Sequence, residues 1–409
     1  MRKPLSLVIG LAIVNSGFGN PVPTYQFPPA PNFQHFDNVT VFVPPASWAS
    51  HATSYGRTVI LNQNCETDAV ILSSFTVRPP GMPYLPIMRS TDGGNTWAQI
   101  SKVYFRATNS SGGGSILQPS LYELPRQVGD LPAGTVLLSG MAVPADRTST
   151  NIEVHASHDN GVTWEYVSTV VSSGPPNTRN GAPCVWEPFV HSIRDQLIVH
   201  YSDQSDPLYG QKLAHRNSKD GIVWTKTRND IIFPDYNLRP GMITMAQMGN
   251  NKWIATYEVG NFDAPPASPY AVHYTIADSP EDFAKEKPQL LKAKNTGVIP
   301  SASPFVQWTP AGGDNGTVIV SDGSYSQFFI NNNWGDPNSW IEVNSGHGIG
   351  YTRSLRVMPD ESRILVFNGG LYGMSSTIVT AGEYWVPGPA PDPKDNTIAA
   401  CGSHAKLHQ

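Results

Sequence analysis

Charged side chains are scarce in this sequence. Asp, Glu, Lys and Arg make up 14% of it, against roughly a quarter in an average soluble domain. With Lys and Glu low and Ser, Thr, Asn, Gly and Pro abundant, the chain favours strands and tight turns over helices. No basic cluster stands out and the formal net charge is −5, which argues against nucleic acid as a partner; a neutral polysaccharide demands no charged surface. Cysteine is also sparse. Three residues, Cys65, Cys184 and Cys401, allow at most one intramolecular disulfide. A Cys65–Cys401 bridge would tie the tail to the body, leaving Cys184 as a buried thiol. No Cys/His spacing resembles a zinc site and the eleven histidines are scattered, so neither a metal nor another cofactor is expected. Long apolar runs are missing too: Leu5–Val14 is ten residues, half of what a bilayer span needs, and membrane insertion is not expected.

That short run has another use. Arg2 and Lys3 precede it and Gly17-Phe18-Gly19 follows it, the layout of a secretory signal over residues 1–19. The mature protein is therefore expected outside the cell, where Asn38, Asn109 and Asn315, each in an Asn-x-Ser/Thr triplet, become candidate glycan sites.

What the sequence does have is repetition. Ser90-Thr91-Asp92-Gly93-Gly94-Asn95-Thr96-Trp97 and Ser157-His158-Asp159-Asn160-Gly161-Val162-Thr163-Trp164 share the form Ser-x-Asp-x-Gly-x-x-Trp, and Ser218–Trp224 is one residue shorter. Asp278 with Phe283, and Asp336 with Trp340, keep a similar Asp-to-aromatic spacing. The aspartates at 92, 159, 220, 278 and 336 lie 67, 61, 58 and 58 residues apart. A period near 60 suits one four-stranded propeller blade with its loops, and six such periods fit between about residue 28 and 386. The motif makes structural sense: Asp accepts the turn's own amides, Gly takes a left-handed backbone, and Trp packs back on the strands. Short β-rich runs agree, among them Thr58–Leu61, Thr135–Leu138, Gln196–Tyr201, Trp253–Tyr257, Thr317–Val320 and Arg363–Phe367, each bounded by turn formers. The fold expected is all-β, a six-bladed β-propeller over residues 20–386, with a Pro-rich linker and polar tail over 387–409.

The repeated turn resembles the Asp-box of sialidase-type propellers. Several stretches are similar more specifically to glycoside hydrolase family 93, the fungal exo-α-1,5-L-arabinanases: Ala52–Arg57, Trp186-Glu187-Pro188-Phe189, Tyr201–Pro207, Gly210–Leu213, Arg239-Pro240-Gly241-Met242, Thr256-Tyr257-Glu258 and Tyr351–Arg356. They span nearly the whole ring. One stretch departs from the pattern: Leu72-Ser73-Ser74-Phe75-Thr76 stands where a Trp-Glu-Asn-like segment is expected, which puts substrate preference or length in question if that region lines the cleft.

Glycoside hydrolysis uses two carboxyl groups flanking the scissile bond. Glu187 and Glu258 each follow an aromatic residue at a strand and stand 71 positions apart, about one blade, so neighbouring blades would aim them at one cleft. By residue type alone each is equally a paired strand-end carboxylate. The resemblance makes them the catalytic pair of a retaining enzyme and favours Glu258 as nucleophile with Glu187 as acid/base. Arg57, Arg239 and Arg353 are candidates for binding sugar hydroxyls or holding the glutamates ionised, or else for structural salt bridges. Tyr351 resembles the last-blade tyrosine that sialidases use as nucleophile. Asp203, with Asp206, contacts sugar or stabilises a loop, and Tyr55 and Trp186 offer sugar-stacking faces, although the Trp is also a natural core residue. The resemblance implies release of arabinobiose from the non-reducing end of linear arabinan by a monomer, since a closed propeller leaves no sheet edge to cover. A sialidase, or a propeller that binds carbohydrate without cleaving it, is the alternative.

Overall fold

The computed structural model describes residues 36, 38–50, 52–63, 70–262, 269–371 and 377–388. The signal segment, both partners of the Cys65–Cys401 pairing and all but the start of the 387–409 tail lie outside these residues. Among those described, six antiparallel sheets of four strands follow one another along the chain. Blade one is Ser54–Ile60, Ile71–Thr76, Leu85–Ser90 and Ala98–Val103, and blades two to five repeat that order from inner strands Gly114–Glu123, Val185–Ile193, Arg239–Gln247 and Phe305–Thr309. Blade six begins with Ser354–Val357, and its outermost strand is Val39–Phe42 from the start of the chain, paired antiparallel with Val379–Trp385. The ring is thus closed by joining the two ends of the chain in one sheet. Inner strands neighbour one another in succession, the first meeting the last. No helix among the described residues is long and apolar enough to cross a membrane.

The repeated turns act as sequence spacing suggested in blades one to three. Asp92 Oδ1 accepts the Thr96 N–H at 2.9 Å and Asp159 Oδ1 the Thr163 N–H at 2.8 Å, while Asp220 Oδ1 accepts from Ile222 and Val223. The tryptophans then stitch blades together. Trp164 Nε1 donates to Ser101 Oγ of the preceding blade at 3.2 Å, and Trp224 Nε1 to Ser168 Oγ at 2.9 Å. Blades four and five depart from the expected register. Asp278 faces solvent and pairs with Lys252 at 2.9 Å, although Phe283 is buried as its spacing implied. In blade five Asn331 begins the turn, its Oδ1 accepting from Asn333 and Gly335, and Asp336 serves only the following residues, Asn338 and Ser339.

Packing is between blades, each apolar cluster drawing on two adjacent sheets. Blade three also carries a polar core. His200 Nδ1 and His215 Nδ1 lie 2.8 and 2.6 Å from the two oxygens of buried Asp230, and His191 Nε2 is 3.1 Å from His200 Nε2. Burial works against the Asp230 charge, yet the two imidazoles outweigh it and hold the carboxyl down at about 2. An ionised carboxylate only accepts, so both Nδ1 atoms donate to it. Sequence spacing gave no hint of this trio, whose groups also have metal-ligand chemistry; both Nδ1 protons are directed at Asp230, while the buried Nε2 of His215 has no hydrogen-bond partner among the described residues. Of the sequon asparagines, Asn38 and Asn109 are exposed, and Asn315 donates its side-chain amide to the Asn332 carbonyl.

Candidate active site

The inner strands share an irregularity that builds the site. In blades one to four, the inner strand advances three residues while its partner advances two, between Ser54 and Arg57, Leu117 and Ser120, Trp186 and Phe189, and Gly241 and Thr244. This is a one-residue bulge. Within each lies a non-glycine residue in left-handed conformation: Tyr55 (φ 56°), Gln118 (58°), Glu187 (60°) and Met242 (58°). Ser303 (40°) and Thr352 (57°) hold the same place just ahead of the inner strands of blades five and six. Such a backbone costs about 1–2 kcal/mol per residue. Recurring at equivalent positions around one ring, it marks the part of the fold where local stability is given up for geometry.

A bulge frees its N–H from the ladder, and here each freed N–H is taken by a side chain of the preceding blade. Gln118 N donates to Thr76 Oγ1 at 3.0 Å, Glu187 N to Gln118 Oε1 at 2.9 Å, Met242 N to Glu187 Oε2 at 2.9 Å, Ser303 N to Glu258 Oε2 at 2.7 Å, and Thr352 N to Ser303 Oγ at 3.2 Å. The sixth junction is between phenols: Tyr351 and Tyr55 hydroxyls are 3.3 Å apart and their rings meet edge to face at 5.0 Å. Two of the five acceptors are the glutamates singled out from sequence.

Glu187 lies on the bulge of blade three, and Glu258 on the second strand of blade four, paired with Gly241. Gly241 has no side chain to come between them; a Cβ there would stand 3.3 Å from Glu187 Oε2. Both glutamates are half-buried. Glu187 Oε2 also accepts Ser202 Oγ–H at 2.8 Å, and Oε1 accepts the Tyr55 hydroxyl at 3.4 Å. Burial raises its affinity for a proton, but Ser202, the Met242 N–H, the Arg239 charge and Tyr55 all pull the other way. Glu258 accepts the Ser303 N–H, and burial followed by the negative charge of Glu187 pushes it up to about 8. Burial thus raises both carboxyls; Glu258 keeps its proton near neutrality, and the donors gathered on Glu187 favour its anion relative to that of Glu258.

Arg239 bonds neither glutamate. Its guanidinium is held by three amides, those of Asn180, Gln204 (2.6 Å) and Gln211 (2.8 Å), which fix a half-buried cation close enough to stabilise both carboxylates. Burial keeps Tyr55 and Tyr351 protonated, each well above the ordinary phenol value. Sequence named none of Gln118, Ser202, Gln211, Met242 and Ser303 as a site residue, although Ser202, Gln211 and Met242 lie in stretches that carry the family resemblance. The signal that finds the bulge residues is their fold-equivalence, which emerges only once strand register is known.

The structure puts other candidates to different uses. Trp186 is 8% exposed and packs in a cluster with Met141, Val143 and Cys184, donating to Gln211 Oε1 at 3.3 Å. It is a core residue that supports Arg239 and does not offer a stacking face. Cys184 is buried and free, as expected. Asp203 accepts the Ser205 N–H at 2.7 Å and lies 3.8 Å from Lys212, which also binds Asp206 at 2.6 Å. These aspartates stabilise their loop. Arg57 reaches into the ring centre over Phe305, 5.2 Å from its centroid, and donates to the Gly56 carbonyl; it touches neither glutamate. Arg353 is fully buried and its terminal nitrogens donate to the carbonyls of Ser326, Gly348, Asp322, Tyr325 and Gln327. Its expected contact with sugar is corrected by this burial, and it serves as a clamp on two loops of blades five and six. The divergent stretch Leu72–Thr76 is the second strand of blade one, wholly buried, and only Thr76 at its end reaches the ring of bulges.

No family model matches the chain, and no curated protein does. Solved structures do. The family 93 α-L-arabinofuranosidase of Fusarium graminearum, in complex with arabinobiose, has a TM-score of 0.80 and 37% identity, over 86% of this chain and 98% of that one. The chain belongs to glycoside hydrolase family 93. A second member of the family 93 group of structures is of a Fusarium variant with glutamate replaced by alanine, bound to an iminosugar inhibitor, at 36% identity. The α-L-arabinanase of Penicillium chrysogenum with arabinobiose is 34% identical, with TM-score 0.80 and the same coverage, 86% and 98%. The NanB sialidase of Streptococcus pneumoniae shares only the fold with this family 93 chain, at 11% identity and TM-score 0.58 over 85% of this chain and 70% of that one.

Proposed function

We propose that this family 93 glycoside hydrolase is a secreted, monomeric exo-α-1,5-L-arabinanase that releases arabinobiose from the non-reducing end of linear arabinan with retention of configuration. The observation that carries the chemistry is the split carboxyl pair. Glu187 and Glu258 come from neighbouring blades, and the donors on Glu187 favour its anion while burial and the Glu187 charge push Glu258 up to about 8. The substrate class is supported by the arabinobiose bound in the two relatives, and secretion by the leader-like residues 1–19.

The electrostatics favour the reverse of the roles that the resemblance alone favoured. Glu187, ionised and fixed by Ser202 and the Met242 N–H, attacks the anomeric carbon. Glu258 gives its proton to the departing glycosidic oxygen. With the sugar esterified to Glu187, the Glu187 charge is gone and Glu258 becomes a stronger acid, ready to take a proton from the water that cleaves the ester. Arg239 keeps the site's charge balanced through both steps, and Tyr55 and Tyr351 are neutral hydroxyls available to the sugar or to Glu187. A sialidase reading is disfavoured by the arginines: Arg57 is buried with one nitrogen on the Gly56 carbonyl, Arg353 is buried on five other carbonyls and Arg239 is held by amides, which does not make a converging set for a substrate carboxylate.

The test is product analysis on debranched arabinan. A disaccharide as the single early product supports the exo reading. A ladder of oligosaccharides, or no release, contradicts it.

A further inference from the structure

The left-handed turn position before the turn glycine is filled differently in blades one, two and five. Blade one has Gly93 (φ 73°) followed by Gly94, and blade two has Asn160 (φ 58°) followed by Gly161. These are the residue types that tolerate the conformation. In blade five Asn331 Oδ1 accepts the Gly335 N–H just as Ser157 Oγ accepts that of Gly161, and the residue ahead of the glycine is Trp334, at φ 52°. A bulky aromatic side chain is a true outlier in that region, and strain of this kind is tolerated where it serves a site.

Trp334 is half-buried and stacks on Trp308, centroids 6.1 Å apart and planes 20° from parallel. Its indole N–H has no acceptor among the described residues. It heads a groove of about 660 Å³ between blades four and five, where Gln289, Lys287, Glu286 and Asn333 are exposed. An aromatic face bordered by an amide, an ammonium and a carboxylate presents the chemistry that takes a neutral sugar: C–H groups against the ring, hydroxyls against the polar rim. The groove lies away from the catalytic pit. The glutamates sit near the start of inner strands and the end of second strands, whereas this turn follows the third strand of its blade, Phe328–Asn331; with antiparallel neighbours, that is the opposite face of the ring.

We propose that Trp334 and this groove form a second polysaccharide site, taking a neutral furanose chain on the face opposite the catalytic pit. The sugar class rests on the arabinanase reading above. A long chain held there raises the effective concentration of its ends at the pit, a gain that short oligosaccharides too small to bridge the two faces do not share.

The experiment is affinity electrophoresis in gels containing debranched arabinan, using Glu258→Ala to prevent digestion, with and without Trp334→Asn. Asn is the residue blade two carries at this turn, so the backbone accepts it. Loss of one stacking platform should weaken apparent binding about five- to tenfold, and Trp334→Phe should retain most of it. In otherwise unsubstituted enzyme, Trp334→Asn should lower turnover of the polymer and leave turnover of a short arabino-oligosaccharide unchanged. Equal retardation of the two proteins, or parallel loss on polymer and oligosaccharide, overturns the proposal. Failure of the arabinanase reading would be seen separately, as no product from either substrate with the unsubstituted protein, and would remove the proposed ligand as well.

Discussion

Ser303 donates its backbone N–H to Glu258 across a blade boundary at 2.7 Å. Met242 does the same for Glu187 at 2.9 Å. Each carboxylate is therefore positioned by the strained backbone of the next blade, and no side-chain substitution removes that donor. What mutation can reach are the side-chain partners of Glu187, of which Ser202 is the shorter contact and Tyr55 the longer.

Ser202→Ala removes the shorter of these contacts, a hydroxyl 2.8 Å from Glu187 Oε2. Without it the Glu187 anion is less stable and its proton affinity rises further. A hydrogen bond to a charged group is worth about 1.5–3 kcal/mol, or roughly one to two pH units. Since Glu187 must be ionised to attack, the acidic limb of the kcat/KM profile should move to higher pH by about one unit. An unmoved limb would show that Glu187 is not the group that titrates there.

Gln118→Ala tests the ring of bulges. Gln118 accepts the Glu187 N–H at 2.9 Å and donates to the Tyr55 hydroxyl at 3.3 Å, so its loss loosens both. Turnover should fall about 10- to 100-fold with KM changed much less, because a positioning defect acts on the transition state. The melting temperature should drop modestly for one unpaired buried N–H. A pure KM effect would place Gln118 against substrate instead.

The arginines should separate cleanly. Arg353→Leu leaves five carbonyls without their donor, and losing one partner of a buried ionic network costs about 3–5 kcal/mol. The melting temperature should fall sharply while the folded fraction, assayed cold, keeps its kcat/KM within about threefold. Arg239→Ala should do the opposite, keeping most of the stability and losing about 100-fold in kcat/KM, as a fixed cation beside both glutamates disappears. Melting curves beside kinetics of the two variants decide it.

Stability should decline as pH rises. Burial pushes Glu258 up to about 8, and Glu123 and Asp322 up to about 7. A carboxyl that holds its proton more tightly when folded contributes stability that is complete below its ordinary value near 4 and is lost as pH rises through its folded value. The melting temperature should thus fall between about pH 4 and 8, and Glu258→Gln, which carries no proton to lose, should shallow that fall. An equally steep fall in the variant would place the strain elsewhere.

The sequence showed the frame more clearly than the site, for a physical reason. Five of the six β-rich runs legible at the outset, such as Gln196–Tyr201 and Trp253–Tyr257, are second strands, almost wholly buried and largely apolar. Turns such as Asp92–Trp97 are equally visible, since their hydrogen bonds are local. The inner strands are different. They carry bulges, and a residue like Gln118 or Met242 matters through the conformation of its backbone and a partner in another blade, which no local pattern records. Arg353 shows the converse. Its place in a stretch similar to family 93 made it a candidate for sugar hydroxyls or for a structural salt bridge, and only its burial among carbonyls reveals the structural use. Asp336 was placed three residues late, since Asn331 replaces the serine that normally opens the turn and Asn333 stands at the aspartate position.

The most direct test is azide rescue of Glu187→Ala and Glu258→Ala on an activated aryl α-arabinobioside, with the anomeric configuration of each azide product read by NMR. With Glu187 as nucleophile, azide takes its place in Glu187→Ala and gives the inverted β-azide, while in Glu258→Ala azide intercepts the glycosyl-enzyme and gives the retained α-azide. The opposite assignment of configurations would reverse the two roles, and rescue of neither variant would contradict the glutamate pair as the catalytic machinery.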